Sequence, residues 1–159
     1  MSYRWTFPVT AILIIIADQI TKLLIVQNIS YGKSLHVCDH LSISYVHNTG
    51  AAFGLFTDHT LLLTILAIIG LIVILFLYRQ FSQSSTFSSL TIGLIFGGAA
   101  GNIIDRIRLS YVIDFITVRL WKDVYWPSFN IADSAITIGV ILLVLFMLTG
   151  FGKKDEHPA

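Results

Sequence analysis

The sequence predicts an all-α integral membrane protein built on four transmembrane helices, joined on one side of the membrane by two long loops. Three observations carry this. The chain has 159 residues, of which 55% are hydrophobic and only 12% charged, and its mean hydropathy is +0.81. That is far outside the balance of an ordinary soluble domain. Four segments approach the roughly 20 mostly apolar residues that a span requires. No charged residue stands between Asp58 and Arg79, or between Asp133 and Lys153.

The spans are expected at residues 7–27, 59–78, 85–104 and 130–151. The two charge-free runs set the second and the fourth. The first ends in DQITKLLIV. A removable signal peptide would show a shorter apolar core followed by a small-residue cleavage site, so this segment is expected to remain as a span. The third begins in the polar stretch QFSQSSTFSS and carries Gly93, Gly97 and Gly101 at four-residue spacing, which lets a neighbouring helix approach closely. Four spans put both termini on one side. Arg4, Arg79, Lys153 and Lys154 are concentrated in short segments there, whereas Lys33, Arg106, Arg108, Arg119 and Lys122 are diluted over the two long loops. The positive-inside bias then places both termini in the cytoplasm. A single membrane domain, residues 1–159, is expected.

The outer loops cover residues 28–58 and 105–129. The first contains LSISYV, whose alternation reads as a half-buried strand, followed by the turn residues of HNTGAAFG. The second contains YVIDFITVRLWKDVYW. Its aromatic and β-branched residues interleave with charges, as in extended chain or an interfacial amphipathic segment, because Trp and Tyr favour the headgroup level. A net charge of +1 gives no ground for a nucleic-acid partner, and the single cysteine, Cys38, excludes an internal disulfide. His36 and His40 have i,i+4 spacing, but a metal site needs a helix and a third ligand there. They read as solvated loop residues, and no metal or other cofactor is expected.

The residues that could carry chemistry are acids in apolar company. An Asp at mid-membrane costs roughly 2.5–3.5 kcal/mol, less toward the interface, so Asp133 in FNIADSAITIGVILLV needs a reason to be there. Asp114 in YVIDFITV is flanked by hydrophobic residues on both sides. Should the second loop fold back, repulsion and desolvation leave the two carboxyls sharing a proton. One can then deprotonate water while the other protonates a scissile carbonyl. The alternative is that Asp133 simply complements the dipole in the first turn of its helix, and the spacing alone leaves both readings open. Asp18 and Lys22 lie four apart in DQITK, where an ion pair lowers the cost of burying both, and a structural role is expected. Asn102 can hydrogen-bond across the bundle. Asp105 and Arg106 are either solvated at the helix end, or hold the Asp114 loop and contact substrate backbone. Neither H-E-x-x-H nor G-x-S-x-G occurs.

Taken together, DQITK at 18–22, NTGAAFG at 48–54, GNIIDR at 101–106, VIDF at 112–115 and FNIADSAI at 129–136 resemble the lipoprotein signal peptidases, the signal peptidase II family. Order and placement match across nearly the whole chain. The resemblance implies an aspartic endopeptidase of the bacterial inner membrane. Such an enzyme removes the signal peptide from diacylglyceryl-modified prolipoproteins, cutting before the lipidated cysteine near the outer leaflet. It implies Asp114 and Asp133 as the catalytic pair. Asn48, Gly50, Asn102, Arg106 and Asn130 would line the site and bind substrate backbone, with Asp18, Lys22 and Asp105 structural. The outer loops would form a small extracytoplasmic β-cradle and an interfacial segment. The expected partners are prolipoproteins and membrane lipid, with no nucleic acid, and a monomer is the expected state. Two readings of other classes stand beside it. Asp18 and Lys22 within a span suit a small proton-coupled transporter or channel subunit, and the glycine-spaced span suits a structural assembly subunit. A transport pathway needs its acids strung across the membrane, whereas a protease needs them gathered at one side.

Overall fold

The computed structural model describes residues 3–50, 55–81 and 86–149. Residues 51–54 of NTGAAFG, the expected start of the third span at Ser85, the expected end of the fourth at Phe151, and Lys153 and Lys154 lie outside them. Helix α1 spans Tyr3–Asn28, α2 Thr60–Phe81, α3 Thr86–Leu109 and α4 Ile131–Thr149. Strands β1 (Ser34–Cys38) and β2 (Leu41–Asn48) follow α1, and β3 (Val112–Trp121) and β4 (Val124–Tyr125) follow α3.

Three helical segments, Trp5–Asn28, Thr86–Leu109 and Ile131–Leu148, are long and apolar enough to cross a membrane. The apolar stretch of α2, Thr60–Phe76, is shorter. On α1, α2 and α4 large apolar side chains point outward, Leu61 at 75% exposure and Leu148 at 78% among them. Only a lipid surround makes such a surface favourable over this length, since in water a contiguous apolar patch marks an interface. Helix α3 is the exception, and it packs against α1, α2 and α4 together.

Small residues make that central place possible. A Cβ at Gly97 would lie 2.8 Å from the Ala11 carbonyl oxygen, and one at Gly101 would lie 2.7 Å from Asp18 Oδ2. The glycine stripe of α3 is therefore the contact line with α1.

The helix runs past the expected boundary at residue 104, on to Leu109, so Asp105 sits inside α3 and not in the outer loop. Apolar character does end at residue 104. Asp105 nevertheless stays in the packed helix, because it is 2% exposed and meets the Lys22 ammonium at 2.9 Å.

The four strands form one antiparallel sheet in the order β1-β2-β3-β4. LSISYV lies in β2 as expected, and the second outer loop is extended chain. The molecule is thus mostly helical with a small antiparallel sheet, formed by the chain segments where a β-cradle was expected. The register sets Val46 opposite Asp114 and Asn48 opposite Val112, so Asn48 and Asp114 share a face of the pleat. After β4 the chain turns back along β3. The Phe129 carbonyl accepts from the N–H groups of Phe115 and Ile116, at 3.0 and 2.8 Å. This return delivers the first residues of α4 beside Asp114.

Gly101→Ala is expected to destabilise the fold by about 1–3 kcal/mol, because its methyl displaces Asp18. Gly70→Ala, where a Cβ meets nothing within 4 Å, should be neutral or slightly stabilising. Thermal unfolding midpoints in one detergent check the pair.

Candidate active site

Asp114 is buried near the start of β3, among Val112, Ile113 and Phe115. Its carboxylate accepts from Asn48 Nδ2 at 2.9 Å on one oxygen and from Asn130 Nδ2 at 2.8 Å on the other. Burial pushes this carboxyl up to about 7, and the neighbouring Asp133 charge adds to the rise. The two amide hydrogen bonds and the Lys22 charge pull the other way without overcoming it. The His47 ring stacks on Tyr111 at 3.6 Å between centroids, which stiffens β2 next to Asn48.

Asp133 occupies the first turn of α4. The turn closes on itself through Asn130. The Asn130 N–H donates to Asp133 Oδ2 at 3.2 Å, and the Asp133 N–H donates to Asn130 Oδ1 at 2.9 Å. This is a reciprocal capping arrangement. The other Asp133 oxygen accepts from Asn102 Nδ2 at 2.7 Å. One carboxylate therefore caps the helix and faces the polar cluster, and the two readings of Asp133 are compatible.

Asn130 links the two acids, with its side chain on Asp114 and its backbone N–H on Asp133. It is fully buried and lies behind the cavity wall, not in it. Its amide hydrogen-bonds to Asp114, Asn102 and the Ile113 carbonyl, so little of it is left for another molecule. Asn48, Gly50, Asn102 and Arg106 do line a cavity of about 920 Å3 together with Asp114 and Asp133. Arg106 donates to the Gly50 carbonyl at 3.1 Å, and its buried Nε has no hydrogen-bond partner among the described residues.

Apolar side chains also line the cavity, from Trp126, Pro127 and Phe129 of the returning chain and Ile136 and Ile138 of α4. Thr137, four residues after Asp133, also lines it; helical spacing from Asp133 was the signal that could have found it.

Beneath this site Lys22, 2% exposed, contacts Asp18 at 2.8 Å and Asp105 at 2.9 Å, and donates to Asn102 Oδ1 at 3.1 Å. Gln19, not singled out by the sequence, adds a hydrogen bond to Asp105 at 2.9 Å. Asp18, Asp105, Asp114 and Asp133 are thereby joined in one network through Lys22, Asn102 and Asn130. His36 and His40 stay apart from them: His36 lies on exposed β1, and His40 Nδ1 is bonded to the Arg119 carbonyl.

Comparison with known proteins gives a consistent picture. Residues 10–149 match the family described as Signal peptidase (SPase) II. A lipoprotein signal peptidase of Bacillus velezensis is 42% identical over 92% of this chain and 96% of its own length. One from Moorella thermoacetica is 38% identical over 96% of this chain and 99% of its own. A solved bacterial membrane enzyme, determined by the in meso method at 2.3 Å resolution, superposes with a TM-score of 0.85 at 36% identity, covering 97% of this chain and 94% of that one.

The Asp114 carboxyl also makes stability depend on pH. Its folded value, about 7, lies above the ordinary 3.8, so the folded protein holds this proton more tightly than the unfolded chain. The contribution is complete below about pH 4 and is lost as the pH rises through about 7. Unfolding midpoints of wild type and Asp114→Asn in detergent should therefore change relative to each other between about pH 4 and pH 7, with the Asn variant gaining on wild type as the pH rises and the difference constant above that.

Proposed function

Since the chain belongs to the signal peptidase II family, we infer that it removes signal peptides from prolipoproteins as an aspartic endopeptidase. Its catalytic pair is Asp114 and Asp133. The observation that carries this is their convergence on one partly apolar cavity, bridged by Asn130.

The pair works with one proton between them. The ionised carboxylate takes a proton from a water, whose oxygen attacks the scissile carbonyl carbon. The protonated partner donates to the carbonyl oxygen, giving a neutral tetrahedral diol. As the C–N bond breaks, the protonated carboxyl gives its proton to the leaving amine nitrogen while the ionised one takes the proton of a diol hydroxyl, whose oxygen re-forms the carbonyl, and the pair is again singly protonated.

A signal helix hides its peptide bonds in its own hydrogen bonds and must unwind to be cut. Asn48, Asn102, the Gly50 backbone and the Arg106 guanidinium are placed to satisfy the freed backbone groups. The cut falls before the diacylglyceryl-modified cysteine. Its acyl chains stay in the bilayer, where each buried methylene contributes about 0.8 kcal/mol to holding the substrate at the site. The protein is one membrane domain of four spans, α2 included, and acts as a monomer. Both termini are cytoplasmic, the sheet is outside, and the cavity is level with the outer leaflet of the bacterial inner membrane.

Asp114→Asn and Asp133→Asn are each expected to lower cleavage of a diacylated lipobox peptide by about 10²- to 10⁴-fold while leaving the protein folded. Retained cleavage by either variant would overturn the assignment. The wild-type rate should follow a bell-shaped pH profile, declining above about 7 as the shared proton is lost.

A further inference from the structure

The cluster of Asp18, Lys22 and Asp105 does more than neutralise itself. Asp105 Oδ2 accepts the backbone N–H of Ile113 at 3.1 Å, and Asp18 Oδ1 accepts that of Ala132 at 3.0 Å. Ile113 immediately precedes Asp114, and Ala132 immediately precedes Asp133. Each acid of the cluster thus grips the backbone one residue ahead of one acid of the catalytic pair. Lys22 ties the two grips together at 2.8 and 2.9 Å. An ion pair that only joined α1 to α3 would have no need of β3 and α4, yet Asp18 gives its second oxygen to α4, and Asp105 Oδ2, already on Lys22, also accepts from β3 while its other oxygen holds Gln19.

A further contact reaches the side chains. Asn102 Oδ1 accepts from Lys22 Nζ at 3.1 Å and from Asn130 Nδ2 at 3.2 Å. With its oxygen held by two donors, the Asn102 amide can present only N–H to Asp133. The Asn130 amide, anchored on that same oxygen, presents N–H to Asp114.

We propose that Asp18, Lys22 and Asp105 are positioning residues, an ionic clamp that fixes the separation of Asp114 and Asp133 and the direction of the amides facing them. The proposal rests on the catalytic pair inferred above. The charged groups around that pair are Asp18 and Lys22 from α1, Asp105 and Arg106 from α3, and the pair itself from β3 and α4. Arg108 is turned to the exposed side, on Gln19. His47, next to Asn48 on β2, is also in the cavity lining with its ring stacked on Tyr111, and the charge of α2 among the described residues is Arg79, in its last turn.

Removing the ammonium takes away the cation beneath the pair and frees Asn102 to turn its oxygen toward Asp133. Both changes favour protonated carboxyls, so the pH profile moves upward.

The test uses full-length Lys22→Met, Asp18→Asn and Asp105→Asn in mixed lipid–detergent micelles with a diacylated lipobox peptide. kcat and KM are measured from pH 5 to 9, and folding is followed by thermal unfolding and tryptophan fluorescence. The expected result is a fall in kcat of about 10- to 100-fold with KM within about twofold. For Lys22→Met the profile should also move up by about one pH unit. Folded variants with wild-type kcat overturn the clamp, and so does a lower rate with an unmoved profile. Failure of all three to fold also overturns it, leaving the cluster as structural support alone. Cleavage retained by Asp114→Asn and Asp133→Asn sinks the catalytic pair whatever the cluster does. Inactivity of those two beside unaltered cluster variants sinks only the clamp.

Discussion

Everything in this bundle is arranged around one buried ammonium group. Transferring an ionised lysine out of water costs several kcal/mol even after relaxation, and Lys22 is 2% exposed. Two carboxylates and an amide oxygen surround it, an enclosure that offsets the cost only while every partner stays in place. That requirement fixes α1 against α3, and so dictates the absence of a side chain at Gly101, where Asp18 needs the space. It also keeps Asp105 in the helix although the apolar sequence has ended. Breaking such a pair costs far more than never having made it, since the abandoned charge remains buried.

The same logic extends upward, through hydrogen bonds that serve more than one element at once. Asn130 caps α4, bridges the two acids and braces Asn102. Asp133 closes the first helical turn with one oxygen and accepts from α3 with the other. In a low-dielectric interior a fully satisfied network of this kind is rigid, and a half-satisfied one is costly. Rigidity keeps the two carboxyls coupled, because a carboxyl pair that drifts apart titrates as two ordinary acids.

Much of this was legible in the sequence because the signals were local. The i,i+4 spacing of Asp18 and Lys22 predicted their pairing, and Gly93, Gly97 and Gly101 predicted a close helix contact. The alternation in LSISYV predicted a strand. The sites of Asp114 and Asp133 stood out because acids in apolar surroundings demand a cause. What local signals missed was set by partners distant in the chain. Nothing near Asp105 indicated that Lys22, on another helix, would hold it inside the bundle. Asn130 was expected in the cavity wall, but its hydrogen bonds to Asp114, Asn102 and Ile113 draw it behind. β1 and the β3–β4 hairpin depend on a register that only the neighbouring strand sets, and β1 is exposed along its whole length whereas β2 is half-buried to buried.

The position of the site follows from where helical hydrogen bonding runs out. At the start of α4 the backbone has donors without intrahelical partners, so a polar environment must exist there even in an apolar bundle. Asn130, Asp133 and the cluster beneath supply it, at the seam between helices and sheet. A substrate helix unwinding in lipid meets the same shortage, with freed donors and acceptors and no water to satisfy them. The seam is thus a region of the described fold where polar groups, apolar side chains and a cavity of about 920 Å3 coincide. The clamp that makes burial of Lys22 tolerable also keeps that coincidence in register, because its two carboxylates hold the chain on either side of the cavity floor.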